Sequence, residues 1–378
     1  MRILILNQIL YTADNNTIPV VSSIKDTMIY NMCLGFVDAG HTVTLAAAED
    51  YKPKAIEAYD FEVRFFATYL PRLLAPSIIP FSPALYRFIK KERDRFDLVI
   101  SSEVFSFQSL FASILCPRKT LIWQEQTAHQ KKFRELPSKI WYRTIVPLFL
   151  TKVSRIVPRS KRAYDFISSY APNVSDIIVD HGINVGKFTF SKKKERTIIS
   201  SSQLIYRKNI EGIIRVFDSF TRMKGYEDIR LLIAGRGDRR PVLENLVAEL
   251  GLQEKIQFLG FLSQAELNRH IKKSYCFLVN TRQDLNMVSI PEAIVSGTPI
   301  LTNTQPASVE YIRANGLGIV KDNWDEYDLK KIVDENPDYV QNCIAYRDKL
   351  TNTHAARTFL NIYLSLIHIS EPTRLDVI

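Results

Sequence analysis

The chain has 378 residues, 46% of them hydrophobic and 24% charged, with a formal net charge of +10 and four scattered cysteines. That balance excludes a disordered chain and a small disulfide scaffold, and the length predicts two domains. Cys33, Cys116, Cys276 and Cys343 form no CxxC pair, which argues against zinc and for buried thiols in a reducing, cytoplasmic setting. The charge calls for a polyanionic partner: nucleic acid, an anionic membrane face or a phosphorylated ligand.

In chain order, Arg2–Asn7 is a short apolar run of the kind found in strands buried on both faces. It is too short for a signal peptide. Met28–Ala39 carries Ile29, Met32, Cys33, Phe36 and Val37 at helical spacing, and Gly40 stops that helix. Strands are predicted over Thr42–Ala46, Phe96–Ser101, Thr120–Trp123, Arg155–Pro158 and Ser175–Val179. The apolar stretch Leu70–Tyr86 is broken by Pro71, Pro76, Pro80 and Pro83, so it does not reach the roughly 20 residues of a transmembrane helix. A basic stretch, Ser191–Arg196, separates a second series. Strands are predicted at Thr197–Ser201, Ile229–Ala234, Ile256–Leu259, Cys276–Asn280 and Pro299–Thr302. Helices are predicted at Ile210–Met223, Pro241–Leu250, Gln264–Lys273 and Ile290–Ser296. This alternation predicts an α/β protein of two doubly wound, Rossmann-like domains, residues 1–184 and 185–363, facing each other across a cleft. Ligands are expected at the carboxyl ends of the strands.

Several motifs of the second half stand in a fixed order. Ser201–Asn209 contains Gln203, Arg207 and Lys208; Leu231–Asp238 contains Gly235-Arg-Gly237. Ile256–Phe261 ends on Gly260-Phe261, and Asp284 is followed by Glu292 eight residues on, then by Gly297-Thr-Pro299. Each segment alone has an ordinary explanation: a solvated turn pair, a tight turn, or acids that complement a helix dipole. As a co-linear set they resemble the donor-binding domain of family 4 retaining glycosyltransferases of the GT-B fold, over about residues 195–320. The resemblance implies a donor diphosphate held by Lys208 with Arg207 beside it, and no metal or cofactor. Cations and N–H groups stabilise the leaving diphosphate in such a site. It implies ribose hydroxyls on Glu292, whose carboxylate has lone pairs for two hydrogen bonds. It places Asp284 at the sugar, and Asn286, Met287 and Val288 at the start of a helix facing the donor. It also places Gly235 on the nucleotide side and Gly260 and Phe261 beside the base. The family commonly has an arginine near Gln203, a glutamate at Asp284 and glycines after it. This chain has none of the three, nor the paired glycines expected within Ile9–Val21.

In the first half, His181-Gly-Ile-Asn184 resembles the family's interdomain turn. Trp123–His129 follows a strand, and His129, with Glu125 next, is the candidate to meet acceptor or donor sugar. His41 reads as structural. Between Gln130 and Arg162 there are ten lysines and arginines against one acid, nearly the whole net charge. Trp141, Tyr142, Ile145, Leu148, Phe149 and Leu150 are interleaved with them. Cations with apolar anchors fit peripheral contact with an anionic membrane, unless the apolar residues are core and the cations merely solvated. No nucleic-acid module accompanies the patch. Leu364–Arg374 resembles a translated sequencing adapter, so residues 364–378 are set aside as a non-native tail.

The expected activity is metal-independent transfer of a sugar from a nucleotide-diphosphate donor to a glycan or lipid-linked glycan. A nucleotide-sugar 2-epimerase and a non-catalytic sugar-nucleotide or membrane-binding scaffold of the same fold are the alternatives.

Overall fold

The computed structural model describes residues 1–11, 17–283 and 287–370. The chain forms two compact units: residues 1–182 with 352–378, and residues 183–351.

Unit 1 is built on six strands: β1 (Arg2–Leu6), β2 (Thr42–Ala48), β3 (Glu62–Phe66), β4 (Leu98–Ser102), β5 (Thr120–Gln124) and β6 (Arg155–Pro158). All pair in parallel, in the order β3-β2-β1-β4-β5-β6. Helices α1 (Met28–Asp38), α2 (Pro83–Glu92), α3 (Phe107–Leu115), α4 (Leu136–Phe149) and α5 (Lys161–Ser168) supply the connections. Thr27, Ser82, Ser106 and Ser160 cap α1, α2, α3 and α5, each side chain accepting from a backbone N–H of the first turn. Central β1 buries Ile3, Leu4, Ile5 and Leu6, which is why its sequence is an unbroken apolar run. Strand order reverses between β1 and β4, so the switch point of this sheet lies there.

Unit 2 repeats the plan. Strands β7 (Thr197–Ser201), β8 (Arg230–Ala234), β9 (Ile256–Gly260), β10 (Phe277–Val279), β11 (Ile300–Thr302) and β12 (Gly318–Val320) pair in parallel in the order β12-β11-β10-β7-β8-β9. Its helices are α6 (Ile210–Thr221), α7 (Arg240–Glu249), α8 (Gln264–Ile271), α9 (Ser289–Val295), α10 (Val309–Ala314), α11 (Glu326–Asp334) and α12 (Asn336–Tyr346). The switch point falls between β7 and β10.

The last helix, α13 (Asn352–Ser370), belongs to unit 1. This corrects the assignment of residues 352–363 to the second domain. Ala356, Phe359, Leu360 and Tyr363 enter the unit 1 core, with the Phe359 ring centroid 5.4 Å from Trp123 and 6.3 Å from Phe36. A Cβ on Gly35 of α1 would overlap the Asn352 carbonyl, so glycine there sets how closely the two helices pack. The helix continues past residue 363, and Leu366 packs against the same core.

One further expectation is corrected. Ser175–Val179 is no strand: it runs beside β6 through one bridge, Ile156 to Val174, and bonds from Ser175 N to Ile156 O and Val179 N to Pro158 O. Edge strands β3 and β12 went unforeseen. The first is half-buried throughout and the second is three residues opening on glycine, so neither carries a strong apolar signal.

Candidate functional site

In unit 2 the turns after β7, β8 and β9 are stitched side by side. Ser202 N donates to Ala234 O at 3.1 Å, Leu204 N to Arg236 O at 2.8 Å, and Gly235 N to Gly260 O at 2.7 Å. Gly235 has φ +134, and a Cβ there would run into the Ser202 carbonyl. Only glycine lets the β8 turn lie against the β7 turn. Gly260 thus spends one carbonyl lone pair inside the protein. Phe261 stands 69% exposed, with the Arg236 guanidinium 5.4 Å from its ring centroid.

A short 3-10 turn, Tyr206–Lys208, follows β7 and leads into α6 through Asn209, which is left-handed at φ 49. Lys208 is only 9% exposed. Arg207 ties this turn to the loop after β10. Its carbonyl accepts from Arg282 N at 2.8 Å and Thr281 Oγ1 at 3.1 Å, and its guanidinium donates to Gln283 O at 2.9 Å. Glu292, 7% exposed, lies in α9, which follows β10. Lys208 and Glu292 are therefore carried by the elements that follow the two strands flanking the switch point, at the carboxyl edge of one sheet.

Not every expected contact residue is presented. Asp284 and Asn286, with Leu285, lie outside the described residues. Met287 is buried in the unit 2 core and Val288 packs partly against it, so their side chains have an apolar structural role. Helix α9 has seven residues, and Ile290 N is already bonded to Met287 O. Gln203 is exposed in the turn after β7.

In unit 1 the expectation for His129 is corrected. Its Nδ1 lies 3.1 Å from Ser138 Oγ and its Nε2 3.0 Å from Tyr170 Oη. Tyr142, Phe166 and Tyr170 surround the ring at centroid distances of 5.3–5.7 Å. Both nitrogens are engaged, and burial followed by the Lys139 charge pushes its pKa down. His129 stitches the loop after β5 to α4 and α5. His41 Nδ1 lies 3.1 Å from the N-terminal amine.

Glu125 lines a cavity of about 410 Å³ at the carboxyl edge of the unit 1 sheet, together with Asn7 and Gln8 after β1, Glu103 after β4 and Arg159 after β6. The buried Arg159 guanidinium carbon lies over the Trp123 ring, 3.5 Å from its centroid, and the group pairs with Glu125 at 2.6 Å. Glu103, at φ 66, accepts from Glu125 N at 3.0 Å and Gln126 N at 3.3 Å. Burial, then the Glu125 charge, raises its carboxyl to about 7, against the pull of Arg159. Glu103, Gln8 and Arg159 were missed in the sequence. The available signal was a polar residue just past each apolar strand run.

The basic segment is divided by α4. Trp141, Tyr142 and Leu150 are core, together with Val146, so these three of the interleaved apolar residues are not membrane anchors. The outer face instead shows Leu136, Ile140 and Leu148, 60%, 53% and 58% exposed, with Arg143 between them. Among the described residues no helix is long and apolar enough to cross a membrane.

Residues 26–185 match the model of the family described as Glycosyltransferase Family 4, and residues 186–338 that of Glycosyl transferases group 1. An alpha-monoglucosyldiacylglycerol synthase of Streptococcus pneumoniae is 24% identical over 186 residues, 45% of this chain and 41% of that protein. The O-antigen chain mannosyltransferase RfbU of Salmonella typhimurium is 22% identical over 189 residues, 49% of this chain and 52% of that protein. The match thus spans about half or less of each of these two relatives. The crystal structure of Anabaena HepE in complex with UDP superposes with a TM-score of 0.71 at 13% identity, covering 97% of this chain and 100% of that one.

Proposed function

The chain belongs to glycosyltransferase family 4, with the family's two Rossmann-like units, and on that premise we propose that it is a metal-independent retaining glycosyltransferase. It moves a sugar from a nucleotide-diphosphate donor to a hydroxyl of a glycan or lipid-linked acceptor. One observation carries the reading: buried Lys208 and Glu292 sit on the elements that follow the two switch-point strands of unit 2.

In this reading Lys208 balances the charge that builds on the diphosphate as the sugar bond breaks, Arg207 adds a second cation, and Glu292 accepts from the ribose hydroxyls. Gly235 lets the β8 turn line the nucleotide side. Phe261 and Gly260 meet the base, while Asp284 and Asn286 are assigned to the sugar end. The acceptor hydroxyl attacks the face from which the diphosphate departs, and the departing phosphate oxygen takes its proton. No side-chain nucleophile is required. The relatives' names, a glucosyldiacylglycerol synthase and an O-antigen mannosyltransferase, support a lipid or polysaccharide acceptor. The basic outer face of α4 supports a seat on the anionic cytoplasmic face of a membrane.

The test is donor turnover. Lys208→Ala and Glu292→Ala are each expected to lower transfer or donor hydrolysis by about 10²–10³-fold with the fold intact. Activity equal to the parent in both variants overturns the assignment. Epimerised donor formed without acceptor supports the 2-epimerase instead. UDP binding without turnover of any donor supports the scaffold.

A further inference from the structure

Helix α9 carries Glu292 as the fourth of its seven residues, and five of the other six are buried as well. Apolar contacts have no direction, so they set how deep such a helix lies but hold its rotation about its own axis only loosely. A buried helix end also needs partners for its last four carbonyls. In α9 all four have them. Ala293 O accepts from Thr298 N at 2.9 Å, Ile294 O from Gly297 N at 2.9 Å, and Val295 O from Arg347 Nε at 2.8 Å. The Glu292 carbonyl accepts from a side chain: Ser296 Oγ donates to it at 2.7 Å, beside Ser296 N at 3.2 Å.

Ser296 is set in turn by Asn268 of α8; the two are 0% and 3% exposed. Asn268 Nδ2 donates to Ser296 Oγ at 2.8 Å and to Thr189 O at 2.9 Å. Its Oδ1 accepts from Thr189 N at 3.2 Å and Thr189 Oγ1 at 3.1 Å. Two donated and two accepted bonds use the whole capacity of the amide. A flipped amide would set N–H against N–H at Thr189, so Asn268 has one orientation. Lys194 braces the same end of α9, its Nζ donating to Gly297 O, Lys272 O and Thr298 Oγ1. Replacing a buried polar set by apolar groups of the same shape is often neutral for stability. What the amide and hydroxyl add is direction.

We propose that Asn268 and Ser296 are positioning residues for the donor: the chain from Thr189 through Asn268 and Ser296 to the Glu292 carbonyl fixes the rotation of α9, and so the place of the Glu292 carboxylate against the two ribose hydroxyls. The inference rests on the reading of Glu292 as the ribose acceptor and deepens it. A carboxylate roughly 6 Å from the helix axis moves by about 1 Å when the helix turns by about 10°. Productive geometry tolerates only about 0.5 Å.

The experiment measures dissociation constants of nucleoside diphosphates on the whole chain by ligand-observed NMR titration. UDP, GDP and ADP are screened on the parent, and the tightest is compared with its 2′,3′-dideoxy counterpart. The parent is expected to favour the ribose form by about tenfold or more, and Glu292→Ala to lose that preference. Asn268→Ala and Ser296→Ala are expected to bind the dideoxy form within about twofold of the parent and the ribose form about fivefold more weakly. Both ligands are read on the same variant, so a general loosening of unit 2 weakens both alike and leaves the preference unchanged. Ser296→Ala removes one oxygen in place, so it decides the result where Asn268→Ala fails to fold. A parent-like preference in Ser296→Ala overturns the proposal. If Glu292→Ala loses the preference while Ser296→Ala keeps it, this inference fails and the donor reading stands. If no diphosphate binds, or Glu292→Ala keeps the parent's preference, the donor reading of Glu292 fails and this inference with it.

Discussion

At the residue scale, Glu103 is the most perturbed acid of the described unit 1 cavity. Its pKa of about 7 lies above the roughly 4.3 of an unfolded glutamate, so the folded state holds a proton that the unfolded state has released. The associated stability is present below about pH 4 and is lost as pH rises to 7. Glu103→Gln removes that slope: relative to the parent, its unfolding midpoint should rise from pH 5 and level off above about pH 7. Asp180 and His181 also have shifted pKa values close to Glu125, but both persist in the variant and cancel in the difference. Parallel pH profiles would show that Glu103 does not titrate in this window. None of this was legible in the sequence. Glu103 reads there as an ordinary residue after a strand, and its pKa depends on Glu125 and Arg159, which lie 22 and 56 positions away. His129 failed in the opposite sense: its sequence position was suggestive, but Ser138 and Tyr170 engage both ring nitrogens.

At the element scale, turns and helix faces decide more than helix identity. Gly235→Ala forces a Cβ into the Ser202 carbonyl at φ +134. We expect a loss of about 1–3 kcal/mol in chemical unfolding and weaker binding of the nucleotide-sugar donor, because the turns after β7 and β8 must part. A variant as stable as the parent would mean that the turn relaxes freely. Helix α4 gives a second prediction. Leu136→Ser, Ile140→Ser and Leu148→Ser together remove exposed apolar area while leaving the buried core of Trp141, Tyr142 and Val146 untouched. Sedimentation with vesicles rich in anionic lipid should drop several-fold, with little change in thermal midpoint. Undiminished vesicle binding would remove α4 from the membrane contact. The sequence located this basic, apolar segment, but of the apolar residues it singled out Leu148 stands well exposed while Trp141, Tyr142 and Leu150 are core. Composition counts Trp141 and Ile140 alike, and only the rotation of the helix on its core tells them apart.

At the scale of the whole molecule, the chain returns to unit 1 after completing unit 2. Phe359 is wholly buried between Phe36 and Trp123, so Phe359→Ala should cost about 3–5 kcal/mol in urea unfolding of unit 1. A cost below 1 kcal/mol would mean that α13 is dispensable to that core. The sequence by itself located five of the six strands of each parallel sheet, missing the edge strands β3 and β12 and adding a false one at Ser175–Val179, because strands buried on both faces must be apolar throughout. It also determined the order of the motifs that follow β7, β8, β9 and β10, because each lies just beyond a strand end. Only the tertiary structure decided that α13 belongs to unit 1, that Met287 and His129 serve packing, and that Gln8, Glu103, Glu125 and Arg159 share one cavity. Parallel topology brings the ends of strands far apart in sequence to one edge, and no local pattern records which side chains then meet.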